Sequence, residues 1–405
     1  MQIHKILVKN REIDILYKFD KSLPIVKFEL VFKASGSVRE NIDGLAKLSA
    51  NLLNEGTKTL GVNEFTKLLD IKAISLFVYS EFEKITISIS CLKEHFKFGL
   101  KMLTDLLKDP NLTDETLEKL KIQTLGEIAM LKSEFDYVSQ MNLFKTLYKG
   151  TKLANDIQGT QESIAKITLS DVKEFLSGLC LENLFAVLCG DTEFCEREIK
   201  ELLEILPNGE KMDFPCLMPT TNGEISEIYE DSEQAYIYFG SPFNVDINEE
   251  YLAKTALFVL GSSGFGSRLM EEIRVKRGLA YSVYVMPMFS LSRKNLFGYL
   301  QTKNESKDEA IAIVKEEITK FVNDGISLDE LEAAKKFMLG SAVLRKETIF
   351  QRLSILQDEY YRGFKFGEFE RNLEKIKNIN LDDLNKFIKT HSEICNLTFS
   401  IVCKK

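Results

Sequence analysis

Two stretches far apart in this chain repeat each other, and that repetition constrains the fold more than any other feature. "LTDETLEKLK", from Leu112, aligns with "ISLDELEAAK", from Ile326, at an offset of 214 residues. The same offset places "TLGEI" (Thr124 to Ile128) on "MLGSA" (Met338 to Ala342), and "LFAVLC" (Leu184 to Cys189) on "TFSIVC" (Thr398 to Cys403). Between them, "ITLSDVKEFL" from Ile167 meets "INLDDLNKFI" from Ile379 at an offset of 212. Matches in one order at nearly one offset indicate a duplicated domain. The non-periodic segment 207–222, with Pro207, Pro215 and Pro219, reads as a linker. The expected domains are therefore 1–206 and 223–405.

Within each half, alternating apolar residues mark strands: "IVKFELVFKAS" and "EKITISISC" in the first, "EQAYIYFGSPF" and "NLFGYLQT" in the second. The N-terminus, "MQIHKILVKNREIDILYKF", alternates in the same way and reads as an edge or hairpin strand rather than a secretory leader. Helical segments lie between. Ser327 with Glu330 has capping-box form at the start of one, and Thr113 heads its counterpart. Hairpin strands mixed with long helices predict an α+β protein of two duplicated domains, each about 200 residues and each a mostly antiparallel sheet packed with helices.

A net charge of −8, without a clustered basic face, argues against nucleic-acid binding, which requires phosphate neutralisation. No run of about 18 apolar residues suggests a membrane span, and a cytoplasmic location is expected. Seven cysteines, an odd number without a CxxC pair, point to reduced thiols in a chain too large to need stapling. Cys189 and Cys403 end apolar runs and read as small buried hydrophobes.

The string "KASGSVRENIDGLAKLSANLLNEGT" contains "GSxRE" (Gly36, Ser37, Arg39, Glu40), "GLA" (Gly44 to Ala46) and "EGT" (Glu55 to Thr57). With "GSSGFGSRLMEEIRVKRGLAYSVYV" from Gly261, "QGTQESIAKIT" from Gln158 and "VNDGISLDELEAAKK" from Val322, it closely resembles the pitrilysin and mitochondrial-processing-peptidase (insulinase-type) family, in its short bacterial branch. The resemblance covers both halves, and the duplication is what it implies.

It also implies an inverted zinc motif, HxxEH, on a helix of the first domain, and a third ligand, a Glu, about 75 residues further on. Two histidines at i and i+4 share a helix face and bind zinc, and the glutamate takes a proton from zinc-bound water. Here the motif positions carry Lys47, Ala50 and Asn51, and only Glu127 matches the third ligand. A lysine ammonium about 4 Å from a divalent cation is repelled by about 8 kcal/mol at an effective dielectric of 20. Ala cannot accept a proton, and an Asn amide is a weak zinc ligand. The three histidines, His4, His95 and His391, are not spaced to substitute. This chain is therefore expected to bind no metal and to lack zinc hydrolysis of its own, with the Lys47 ammonium filling the vacated volume as an internal partner for Glu127.

The resemblance further implies that Arg274 and Tyr281, in "IRVKRGLAY", hold substrate backbone and stabilise a reacting carbonyl. The plain alternative is a surface ion pair for Arg274 and strand packing for Tyr281. "GSSGFGS" lacks the lysine of a phosphate-cradling loop and is expected to be a flexible turn entering the Arg274 helix, one that could touch substrate. Peptide addition along an exposed strand is also implied, here at about Ala73 to Tyr79, with burial against a partner or within the domain as alternatives.

Together these features predict a non-catalytic subunit of a dimeric zinc-dependent oligopeptidase or processing peptidase. It would supply Arg274 and Tyr281 in trans to the active site of a homologous, HxxEH-bearing chain that carries the zinc. The alternatives are a structural or peptide-binding homodimer without proteolysis, and a metallopeptidase with an unusual site.

Overall fold

A computed structural model describes residues 2–264 and 266–405. The chain divides into two compact units, one formed by residues 1–129 and 156–215, the other by residues 130–155 and 216–405. The division near Pro215 falls inside the proline-bearing segment, and residues 130–155, which precede that segment, belong to the second unit.

The first unit is built on a six-stranded sheet. Its strands are β1 (Gln2–Val8), β2 (Arg11–Phe19), β3 (Ile25–Lys33), β4 (Ser75–Ser80), β5 (Lys84–Leu92) and β6 (Leu184–Gly190), in the order β1-β2-β6-β3-β5-β4. β1 and β2 form the expected hairpin, and the two residues joining them, Lys9 and Asn10, have positive φ of 48° and 64°. Such a turn matches the right-handed twist of the strands it connects. Phe28, Leu30, Ile87 and Ile89 are buried beneath the helix Phe96–Lys108, which contributes Phe96, Leu100 and Leu103.

The second unit holds β7 (Ile225–Tyr229), β8 (Gln234–Pro242), β9 (Ala280–Phe289), β10 (Lys294–Lys303) and β11 (Thr398–Cys403), in the order β7-β11-β8-β10-β9. With β7 matched to β2, β8 to β3 and β11 to β6, this is the first sheet again without β1. The hydrogen bonding repeats too: β2 with β6 and β7 with β11 are the parallel pairs, and the others are antiparallel. The helices Asp114–Ser133 and Leu328–Ser341 begin 214 residues apart, as do β6 and β11. The α+β duplication expected from the sequence is thus present strand by strand.

Capping fixes where these helices start. Ser327 accepts from the Glu330 N–H while the Glu330 carboxylate accepts from the Ser327 N–H, and Thr113 accepts from the Thr116 N–H at 3.2 Å. Satisfying these first-turn donors is what makes the boundary readable in the sequence. Cys189, next to last in β6, and Cys403, the last residue of its strand, are fully buried, and all seven cysteines are free. His4 stacks on Phe194, His95 precedes the helix Phe96–Lys108, and His391 pairs with Glu393 at 2.8 Å. No helix among the described residues is long and apolar enough to cross a membrane.

Both faces of the second sheet are used. Ile237, Phe239, Val283 and Leu300 face a large apolar core. On the other face Tyr238 and Phe297 pack with Leu143 of the helix Phe135–Leu147. Ser139 of that helix lies 2.9 Å from the carbonyls of Tyr236 and Ser400. Near the large core the Glu250 carboxylate accepts a two-pronged pair of hydrogen bonds from Arg362, one of them 3.0 Å long, and both side chains are at least nine-tenths buried. Removing Arg362 takes the two-pronged partner from a buried carboxylate, which the exposed Lys254 at 3.3 Å compensates only in part. Arg362→Met is expected to cost about 3–5 kcal/mol, read from urea unfolding, and pairing it with Glu250→Gln should restore part of the loss.

Candidate functional site

The helix Leu45–Leu53 carries the three motif positions, and residues of the resembling strings hold it in place. The buried Glu40 carboxylate accepts from the Gly44 N–H at 3.2 Å and from the Ala46 N–H at 2.9 Å. A carboxylate at a helix N-terminus satisfies donors the helix cannot and complements its dipole. Gly44 has φ +86°, and a Cβ there would meet the Gln158 carbonyl at 2.8 Å, so glycine is required. At the other end of the helix, Glu55 pairs with Lys119 at 2.7 Å and the Gly56 carbonyl accepts from the Asn111 N–H at 2.9 Å. Glu40, Gly44, Glu55 and Gly56 of these strings therefore hold the helix through contacts that involve no metal.

The motif side chains divide between two directions. Ala50 is fully buried in the apolar core, whereas Lys47 and Asn51, one turn apart, are partly exposed. The Lys47 Nζ lies 3.6 Å from Glu127 Oε2, on the helix Asp114–Ser133, and donates to Gln158 Oε1. The pairing expected from the sequence is present, but its setting differs: the Glu127 side chain is 52% exposed, so the pair is not internal. An exposed pair of this kind contributes about 0–1 kcal/mol. The Lys47 side chain is 27% exposed, and the carboxylate that meets it lies at the surface.

These residues do not fit zinc. The atom facing Glu127 is a cationic nitrogen with no lone pair to donate, and neither Ala50 nor Asn51 supplies an imidazole or thiolate. Among the described residues no three His, Cys, Asp or Glu side chains gather closely enough to hold a metal ion.

In the second unit Arg274 and Tyr281 come together. Arg274 lies in the π-helical turn Glu271–Val275, and the helix ends through Gly278: its N–H donates to the Arg274 carbonyl at 3.0 Å, and the Leu279 N–H to the Ile273 carbonyl at 2.9 Å. That double closure needs a left-handed residue, and Gly278 has φ +65°. The chain then enters β9, where Tyr281 is 82% exposed. The Arg274 guanidinium carbon sits 4.6 Å from the centre of the Tyr281 ring. Stacking holds both in one orientation and leaves the phenol facing solvent. Strand packing, the plain alternative for Tyr281, is not what the structure has.

The neighbouring Glu272 is engaged by Lys276 and Arg277, and these hydrogen bonds hold its carboxyl below the usual carboxylate range. Of the glycine-rich segment before this helix, Gly264 and Gly266 have positive φ, and Phe265 lies outside the described residues. The expected edge strand is present as β4, at the end of the first sheet. Glu40 and Gln158 stand in the resembling strings, but the sequence did not assign them these contacts with the helix start and with Lys47. Glu40 reaches across four and six residues, outside the usual capping pattern.

Comparison with known proteins gives concordant matches. Residues 15–161 match the family described as Insulinase (Peptidase family M16), and residues 166–338 match Peptidase M16 inactive domain. A Helicobacter pylori protein named Non-peptidase homolog YmxG is 40% identical, over 98% of this chain and 93% of its own. An Uncharacterized zinc protease of Rickettsia bellii is 25% identical over 89% of this chain and 88% of its own. Among solved structures, a peptidase M16 inactive domain from Pseudomonas fluorescens superposes with a TM-score of 0.90 at 21% identity, covering 100% of this chain and 99% of that one. A protease from Helicobacter pylori superposes at 0.82 with 17% identity and 99% coverage of both chains.

Proposed function

Because the chain belongs to the insulinase-type M16 peptidase family, we propose that it is a non-catalytic subunit of a zinc-dependent oligopeptidase or processing peptidase. A homologous, HxxEH-bearing chain supplies the zinc and the base, and this chain supplies Arg274 and Tyr281 to the peptide held there. The observation that carries the reading is an asymmetry of loss: Lys47, Ala50 and Asn51 have no metal chemistry, whereas Arg274 is stacked on a Tyr281 ring that is 82% exposed. The name of the Helicobacter pylori relative, a non-peptidase homolog, supports the non-catalytic half of the proposal.

The chemistry of the pair suits that role. A guanidinium presents several donors in a rigid fork and a phenol presents one, the donor types that suit peptide carbonyls or a developing oxyanion. Neither group is a nucleophile or a general base at neutral pH, so the pair assists a reaction whose attacking group lies elsewhere.

Native purification with endogenous partners and metal analysis tests the assembly. The expected species contains this chain and one HxxEH-bearing homologue, with one zinc per pair. A homodimer of this chain that excludes the homologue would support the structural or peptide-binding alternative instead.

A further inference from the structure

The edge of the first sheet is closed from within. β4 ends the sheet, and the Glu81 N–H donates to the Lys84 carbonyl at 2.8 Å, which fixes residues 81 and 84 as a hydrogen-bonded pair of the β4–β5 hairpin. The register pairs Tyr79 with Thr86, Val78 with Ile87 and Phe77 with Ser88. Since antiparallel pairs alternate, Ser75, Phe77 and Tyr79 direct their main-chain groups to β5, and Leu76, Val78 and Ser80 direct theirs to the open side. An open side of this kind is a template for an extended chain, and with Phe77 53% exposed it is also an aggregation hazard.

At the centre of that side both groups of Val78 are occupied. The Val78 N–H donates to Asn54 Oδ1 at 2.8 Å, and Asn54 Nδ2 donates to the Val78 carbonyl at 2.8 Å. A carboxamide has the donor and acceptor of a peptide group, so Asn54 meets Val78 as one residue of an added strand would. Asn54 is the C-cap of the helix Leu45–Leu53, and its Nδ2 also lies 3.2 Å from the Ala50 carbonyl. The carboxamide therefore ties the end of the motif helix to the sheet edge. A groove of about 450 Å³ beside the contact, bordered by Leu53, Phe65, Leu69, Ala73 and Leu76, leaves room along the strand that the main chain cannot use while Asn54 is in place.

We infer that Asn54 is a built-in plug of the β4 edge, which prevents this chain from taking up an extended peptide by strand addition at Val78. Its consequence is a division of labour: any peptide this chain meets is engaged elsewhere than along β4. The inference stands apart from the partner assignment, because its test uses this chain alone and no hydrolysis.

The probe is a fluorescein-labelled peptide with the sequence of Lys84–Ser90, of which residues 85–90 pair antiparallel with β4 in the fold. The wild-type chain is expected to leave its anisotropy unchanged, whereas Asn54→Ala should bind it at least about tenfold more tightly. Amide exchange at Val78 should rise about tenfold or more in the same variant. Asn54→Asp keeps the acceptor for the Val78 N–H and loses the donor to its carbonyl. It should fall between the two, and it carries the test if the Ala variant does not fold. Equal binding by wild type and variant, or no binding by any variant together with unchanged Val78 exchange, would overturn the inference.

Discussion

Replacing Arg274 by Ala in a mixture with the zinc-bearing partner is expected to lower oligopeptide hydrolysis about a hundredfold, the usual scale for removing one preorganised donor from a developing oxyanion. The loss should appear in kcat more than in KM if the guanidinium acts on the reacting carbonyl rather than on binding alone. Arg274→Lys keeps the charge but not the planar fork that stacks on Tyr281, so it should recover only part of the activity. Both side chains lie outside the core, so the unfolding midpoint should barely move. A steady-state assay with an internally quenched peptide, run beside thermal unfolding of each variant, separates these effects.

The second large effect concerns metal. Lys47→His with Asn51→His is expected to give the isolated chain a zinc site at least about a hundredfold tighter than wild type. Positions i and i+4 share one face of the helix Leu45–Leu53, and the Lys47 ammonium already lies 3.6 Å from Glu127, which puts a carboxylate beside the first of the two positions. Glu40 keeps the helix start fixed whether or not metal is present. Hydrolysis should remain absent, because Ala50 contributes no carboxylate and points into the core. Calorimetric titration with zinc measures the gain, and a double variant that binds no better than wild type would mean that this helix and Glu127 no longer form a metal frame.

What could be read in the sequence was whatever repeats or whatever local chemistry announces. The duplication was visible because the helix starting at Thr113 and the one starting at Ser327 need the same caps, and because β6 and β11 need the same unbroken apolar runs. The pairing of Lys47 with Glu127 followed from the spacing of a known motif, but its exposure did not, since spacing does not say which side of a helix meets solvent. The membership of the helix Phe135–Leu147 in the second unit was hidden because its contacts, such as Ser139 with Ser400, span 261 residues. Asn54 was hidden for a related reason. In the sequence it is one polar residue near a helix end, and only the register of β4 reveals that its carboxamide meets Val78.

The proposed role is to assist, in a partner's site, a reaction for which this chain lacks the zinc-binding residues. Its most direct test is the rate of peptide hydrolysis by the HxxEH-bearing homologue with and without this chain, at equal zinc. The account predicts no hydrolysis by this chain alone and at least about a tenfold rise when the two are mixed, reversed by Arg274→Ala. A partner equally active alone, or a mixture indifferent to Arg274, would contradict it.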